Sequence, residues 1–132
     1  MTVARRGGLA DDTGSAVAEF VLVSALLTLL TLAVLQLGLA LLVRNTLVDA
    51  AAEGARFGAL GDNTPADGAD RAAELISTAL GGTYAEDVTA GTGSYLGRPA
   101  VVVTVRAPLP LVGLIGPVTL EVSGHAAVET LG

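Results

Sequence analysis

Apolar and polar positions are divided unevenly along the chain. From Phe20 to Val43 the sequence FVLVSALLTLLTLAVLQLGLALLV carries no charge, and Ser24, Thr28, Thr31 and Gln36 are its only polar side chains. As a helix, such a run spans roughly 36 Å, enough to cross a hydrocarbon layer of about 30 Å. It is apolar on every side, and the rest of so short a chain could not wrap it, so a transmembrane helix at about residues 20–43 is predicted. Residues 1–14, MTVARRGGLADDTG, hold no periodic apolar pattern and read as a leader or a disordered tail. After the apolar run the pattern turns amphipathic. Leu47, Ala50, Ala51, Gly54, Ala55 and Gly58 recur at helical spacing, with Asn45, Asp49, Glu53 and Arg56 mostly between them. Glu53 and Arg56, three apart, can pair on the helix surface for a few tenths of a kcal/mol. One long helix over 15–60 is expected, roughly 69 Å in length, with its last third or more in water. The breaker cluster Gly61-Asp62-Asn63-Thr64-Pro65 should end it.

The remaining residues, 61–132, predict a small α+β ectodomain. Thr64 can cap a second helix with Pro65 at its first position, an apolar stripe of Ala69, Ala72, Ala73, Ile76 and Leu80, and Gly81-Gly82 as its stop. The period then changes. VVVTVRA at Val101–Ala107 and VTLEVSGHAAV at Val118–Val128 are β-branched and partly alternating, as strands are. A weaker strand is expected near Tyr84–Ala90, joined to the next by a hairpin loop around Thr92-Gly93-Ser94. LPLVGLIG, bracketed by Pro108, Pro110 and Pro117, reads as an apolar loop. A domain this small has a marginal core. The apolar face of the long helix's exposed end is therefore the expected support for a short antiparallel sheet of about three strands.

Composition narrows the function. The formal net charge is −6, lysine is absent, and the arginines are scattered beyond Arg5-Arg6, so no clustered positive face is available for nucleic acid. Aromatic residues make up only 3%, which also removes base-stacking platforms. With no cysteine there is neither a disulfide framework nor a thiolate metal site. Arginines stand on both sides of the apolar run, Arg5 and Arg6 before it and Arg44 and Arg56 after it, so the positive-inside rule barely orients it. From Arg44 onward five arginines face ten acids. A short cytoplasmic N-terminal tail with an exported C-terminal domain is the simpler arrangement. A secretory signal cut after Gly38-Leu39-Ala40 is an alternative, although the apolar run before it exceeds the usual 7 to 15 residues.

The boundary between leader and apolar run carries the chemistry. Gly14 is followed five residues later by Glu19, and the uncharged run starts at Phe20. The arrangement resembles the class III signal of type IV pilin-like proteins. That resemblance implies that a prepilin peptidase cuts between Gly14 and Ser15 on the cytoplasmic side, with the apolar helix retained for assembly. Ser15 would then carry a free α-amino group with a reference pKa of about 8. Glu19 would lie in the first helical turn, where the helix dipole favours an acid. In a bundle of such helices an unpaired charge is costly. Pairing Glu19 with the α-amino group of a neighbouring subunit would set an axial register. Glu19 and Phe20 are thus the implied assembly residues. Without a cut, Glu19 is only a helix starter in the headgroup region.

A second resemblance covers most of the chain. EFVLVSALLTLLTLAVLQLGLALLVRNTLVDAAAEGAR, Glu19–Arg56, is similar to the N-terminal half of the TadE-like proteins, minor pilins of tight-adherence pili, and RNTLVDAAAEGAR is its more specific part. The order that follows, a helix and then a short β-rich segment, fits the same family. The resemblance implies a bacterial inner-membrane protein with one span and an extracytoplasmic C-terminal domain. It also implies prepilin peptidase, other pilin subunits and the tight-adherence assembly machinery as partners. Asp11 and Asp12 beside the candidate cut site depart from a basic leader. An uncleaved single-pass envelope scaffold is the alternative function, followed by a secreted binding domain.

Other candidates are plainer. Ala50, Gly54 and Gly58 lie four apart on one helix face and permit close packing, preferably within the molecule. His125 is the only histidine, so a metal site there would lack a second imidazole. Asp62, Asp67 and Asp70 near Asn63 lack the spacing of a calcium loop and read as a solvated acidic turn. No nucleophile-base pair or phosphate loop is present, so neither enzymatic activity, nor a cofactor, nor a small-molecule substrate is expected.

Overall fold

In a computed structural model, residues 2–110 and 118–128 are described, with residues 2–11 as helical backbone alone. The elements are α1 (Thr2–Gly58), α2 (Pro65–Leu80), a short 3-10 turn (Gly82–Ala85), β1 (Asp87–Tyr95), β2 (Arg98–Pro108) and β3 (Thr119–Ala127). The class is α+β, with a three-stranded antiparallel sheet in the order β1-β2-β3. The apolar loop expected over LPLVGLIG falls for the most part outside the described residues.

α1 starts well before Ser15, so the residues read as a leader are helical in this structure. Ala4, Arg5, Arg6, Leu9 and Ala10 are good helix formers, and extending an existing helix avoids the cost of nucleation. No proline occurs before Pro65 to interrupt it.

The chain divides into two units, Met1–Leu37 and Gly38–Gly132. The first has no core among its described residues. Val17, Leu22, Leu26, Leu29, Leu30 and Leu37 are all more than half exposed, on every side of the helix. Its two threonine hydroxyls within the apolar run are nonetheless satisfied. Thr28 Oγ1 donates to the Ser24 carbonyl and Thr31 Oγ1 to the Leu27 carbonyl, each at 2.8 Å. Such back-bonding lets a polar side chain sit in hydrocarbon without an outside partner.

The second unit is built around one apolar core. α1 contributes Val43, Leu47, Ala50, Ala51 and Ala55, and the turn after it adds Ala59. α2 contributes Ala72 and Ile76, and the sheet supplies Val101, Val103, Val105, Ala107 and Val122. The alternation of β2 explains its share, since its odd-numbered residues from Val101 to Ala107 all face the helices. The sheet thus packs on the far part of the long helix, as a small domain without disulfides requires.

The breaker cluster works as two caps in succession. Asn63 Nδ2 donates to the Phe57 carbonyl at 2.8 Å, satisfying a group at the end of α1. One residue later Thr64 opens α2. Its Oγ1 accepts from the Asp67 N–H at 3.2 Å, and the Asp67 carboxylate accepts from the Thr64 N–H at 2.8 Å. This reciprocal box, with Pro65 next to it, sets the start of α2 at the expected residue. Gly81, at φ 99°, closes it.

The expected hairpin loop is corrected. Thr92, Gly93 and Ser94 pair with Val101, Ala100 and Pro99 inside the ladder, and the turn is Leu96-Gly97, between the paired Tyr95 and Arg98. Both turn residues have positive φ, 53° and 77°, as a two-residue hairpin whose twist matches its strands requires.

Candidate functional site

The candidate site is the N-terminal side of α1. Gly14, Ser15, Glu19 and Phe20 are all helical and exposed, Phe20 to 72%. Ser15 and Glu19 are four residues apart on a helix, so they share one face. Among the described residues no ion pair involves Glu19. The uncut chain does not place it in a first turn, because α1 has already run from Thr2. The dipole argument for Glu19 therefore requires a new helix end at Ser15. In the uncut chain, the carboxylate stands mid-helix at the edge of the uncharged run.

Farther along α1, Ala50, Gly54 and Gly58 form part of the packed unit. Ala50 is buried in the core and also borders a groove of about 370 Å³ with Thr46, Asp49, Glu53, Arg56, Leu75 and Ala79. Gly54 and Gly58 lie against α2. A Cβ on Gly54 would come within 2.5 Å of the Gly68 carbonyl oxygen and 2.8 Å of the Ala72 Cβ. The two backbones can approach this closely only because both sides lack bulk. Gly68 and Gly124, which the helical spacing alone did not single out, complete the arrangement. Gly124 of β3 sits against the backbone of Ala51 and Ala52, with no room for a side chain. An isolated glycine in a strand is the signal that could have found it.

The charged candidates have local partners. Arg56 Nη2 lies 3.0 Å from Glu53 Oε2 in an exposed pair. Asp67 serves the α2 cap and Asn63 the end of α1, so neither is directed at a shared centre. His125 stacks on Tyr95 with ring centroids 5.5 Å apart, a contact that the sequence reading missed because it depended on the true hairpin register.

Fold and segment together define a membrane-anchored α+β protein. Among the described residues one helix, Asp12–Gly58, is long and apolar enough to cross a membrane, and its most apolar stretch is almost entirely unburied. Residues 14–56 match the model of the family described as TadE-like protein. This segment is TadE-like, in agreement with the resemblance carried by Glu19–Arg56. No curated protein and no solved structure matches the chain.

Proposed function

We propose that the protein is a minor pilin of a tight-adherence system, cut after Gly14 by a prepilin peptidase and held in a filament through α1. The observation that carries this reading is the extent of the family match. It begins at Gly14, the residue before the candidate cut, and runs through Arg56 at the end of the RNTLVDAAAEGAR stretch. The matched segment thus starts one residue before the first residue of the proposed mature chain and omits residues 1–13. Cleavage gives Ser15 a cationic α-amino group on the same helix face as Glu19. Both charges are then presented to one neighbouring helix. In a low-dielectric bundle each must find an opposite charge, and a head-to-side pair between subunits satisfies both.

The helical continuity of α1 favours a second reading. The Gly14–Ser15 peptide lies inside a helix, and a peptidase needs that backbone unwound to reach it. Gly14 has open space around it and low helix propensity, which eases such unwinding. If the segment stays helical, the protein remains an uncleaved membrane anchor for an envelope scaffold. The N-terminal sequence of protein taken from membranes decides the matter. Ser15 as first residue supports the pilin. Met1 or Thr2 supports the anchor, and Leu41 a secreted domain.

A further inference from the structure

The tip of the β1–β2 hairpin breaks a local rule. Position 96 requires φ of 53°, a conformation suited to Asn, Asp or Gly, yet it holds a leucine that is 86% exposed. A large apolar side chain is thus kept in a disfavoured backbone state with no core to reward it. Such outliers cluster at functional positions. Its surroundings are built as well. Tyr95 stacks on His125, and Ala100 on the same face of the sheet by alternation is fully buried. Arg98 follows the turn directly, with no ion pair among the described residues. Tyr95, Leu96, Arg98 and His125, with Arg56, border a shallow open site of about 610 Å³. In a chain of net charge −6, the tip offers an apolar knob beside an unpaired cation.

The same folded unit carries a complementary surface. A hollow of about 220 Å³ is lined by Phe57, Asp67, Asp70, Arg71 and Glu74. Phe57 is 37% exposed and supplies apolar surface within it. Arg71 is paired with Glu74 at 3.6 Å, so Asp67 and Asp70 leave the hollow with a net negative charge. An apolar patch rimmed by acid is what a leucine followed by an arginine would fit.

We propose that Leu96 and Arg98 of one copy dock on the Phe57–Asp70–Glu74 hollow of a second copy. Leu96 covers Phe57, and Arg98 meets the acids at the rim. Each copy carries both surfaces, so each can give and receive the contact. This contact goes beyond the pilin reading and does not depend on cleavage at Gly14.

The chain has no cysteine, which makes disulfide trapping clean. Full-length Leu96→Cys and Asp70→Cys chains, differently tagged, are co-expressed and oxidised in native membranes. The mixed disulfide should exceed, several-fold, that formed between Leu96→Cys and a Ser77→Cys control on exposed α2 surface. Adding Arg98→Glu to the Leu96→Cys chain should lower the mixed product, and Glu74→Arg in the other chain should restore it. All of these positions are on the surface, and an unchanged melting temperature shows that each variant is folded. A mixed disulfide no more abundant than the Ser77 control would overturn the proposal. So would insensitivity to the charge reversal.

Discussion

The stretches of α1 on either side of Val43 use apolar residues in opposite ways. From Phe20 to Leu42 the helix is leucine-rich, uncharged and mostly exposed, with Phe20 at 72% and Leu26 at 66%. From Val43 onward the large residues thin out to alanine and glycine, and Leu47, Ala51 and Ala55 reach 0%. Large apolar side chains without a protein partner are suited to lipid, where bulk matters and fit does not. Small ones facing protein bring backbones close, where fit decides and every added atom is felt. One continuous helix therefore joins a stretch suited to lipid to a stretch packed against protein, and its composition changes between them.

The sharpest way to break this contrast is truncation on both sides of the boundary. Leu47→Ala should destabilise the packed unit by about 2–5 kcal/mol, the range for a buried leucine, read by thermal melting or proteolysis in detergent. Leu26→Ala should leave the same unit within about 0.5 kcal/mol of wild type, because that side chain touches no core. Equal effects would erase the distinction. Added bulk gives the next largest effect. Gly54→Ala should cost about 1–3 kcal/mol through the contact with Gly68 and Ala72, against nearly nothing for Gly38→Ala, where the added methyl meets open space.

Much of this contrast is legible in the sequence. The uncharged run, the amphipathic continuation and the limits of α2 all rest on strong local signals, and at α2 the Thr64 cap, Pro65 and Gly81 agree with one another. β1 was harder to read. Its outer half, Gly91 to Tyr95, is exposed at every position, so no apolar alternation marks it as a strand. Gly93 and Ser94 looked like a loop, whereas the real turn holds a leucine that local preference would not place there. The close approach of Gly68 to Gly54 and of Gly124 to Ala51 is tertiary, and spacing along one element does not reveal it. The reading of the site was limited differently. Gly14, Ser15 and Glu19 are readable as a pattern, but the helical state of the leader comes from continuity with α1.

Smaller effects sharpen the same picture at its edges. Thr64→Ala removes half of the capping box and should cost about 1 kcal/mol, measured by melting of the packed unit. Leu96→Asn should instead stabilise the fold by up to about 1 kcal/mol, since asparagine tolerates the left-handed region better than leucine. A destabilised Leu96→Asn would mean that the leucine serves the fold and not a surface.

The central claim is that Glu19 acts in assembly once Ser15 has become a new terminus. The most direct measurement is the amount of Glu19→Ala protein in sheared filaments, relative to wild type, with its N-terminal residue determined in the membrane fraction. The account predicts a chain that begins at Ser15 in the membrane and is missing from the filaments. Glu19→Ala protein in filaments at the wild-type level would contradict it.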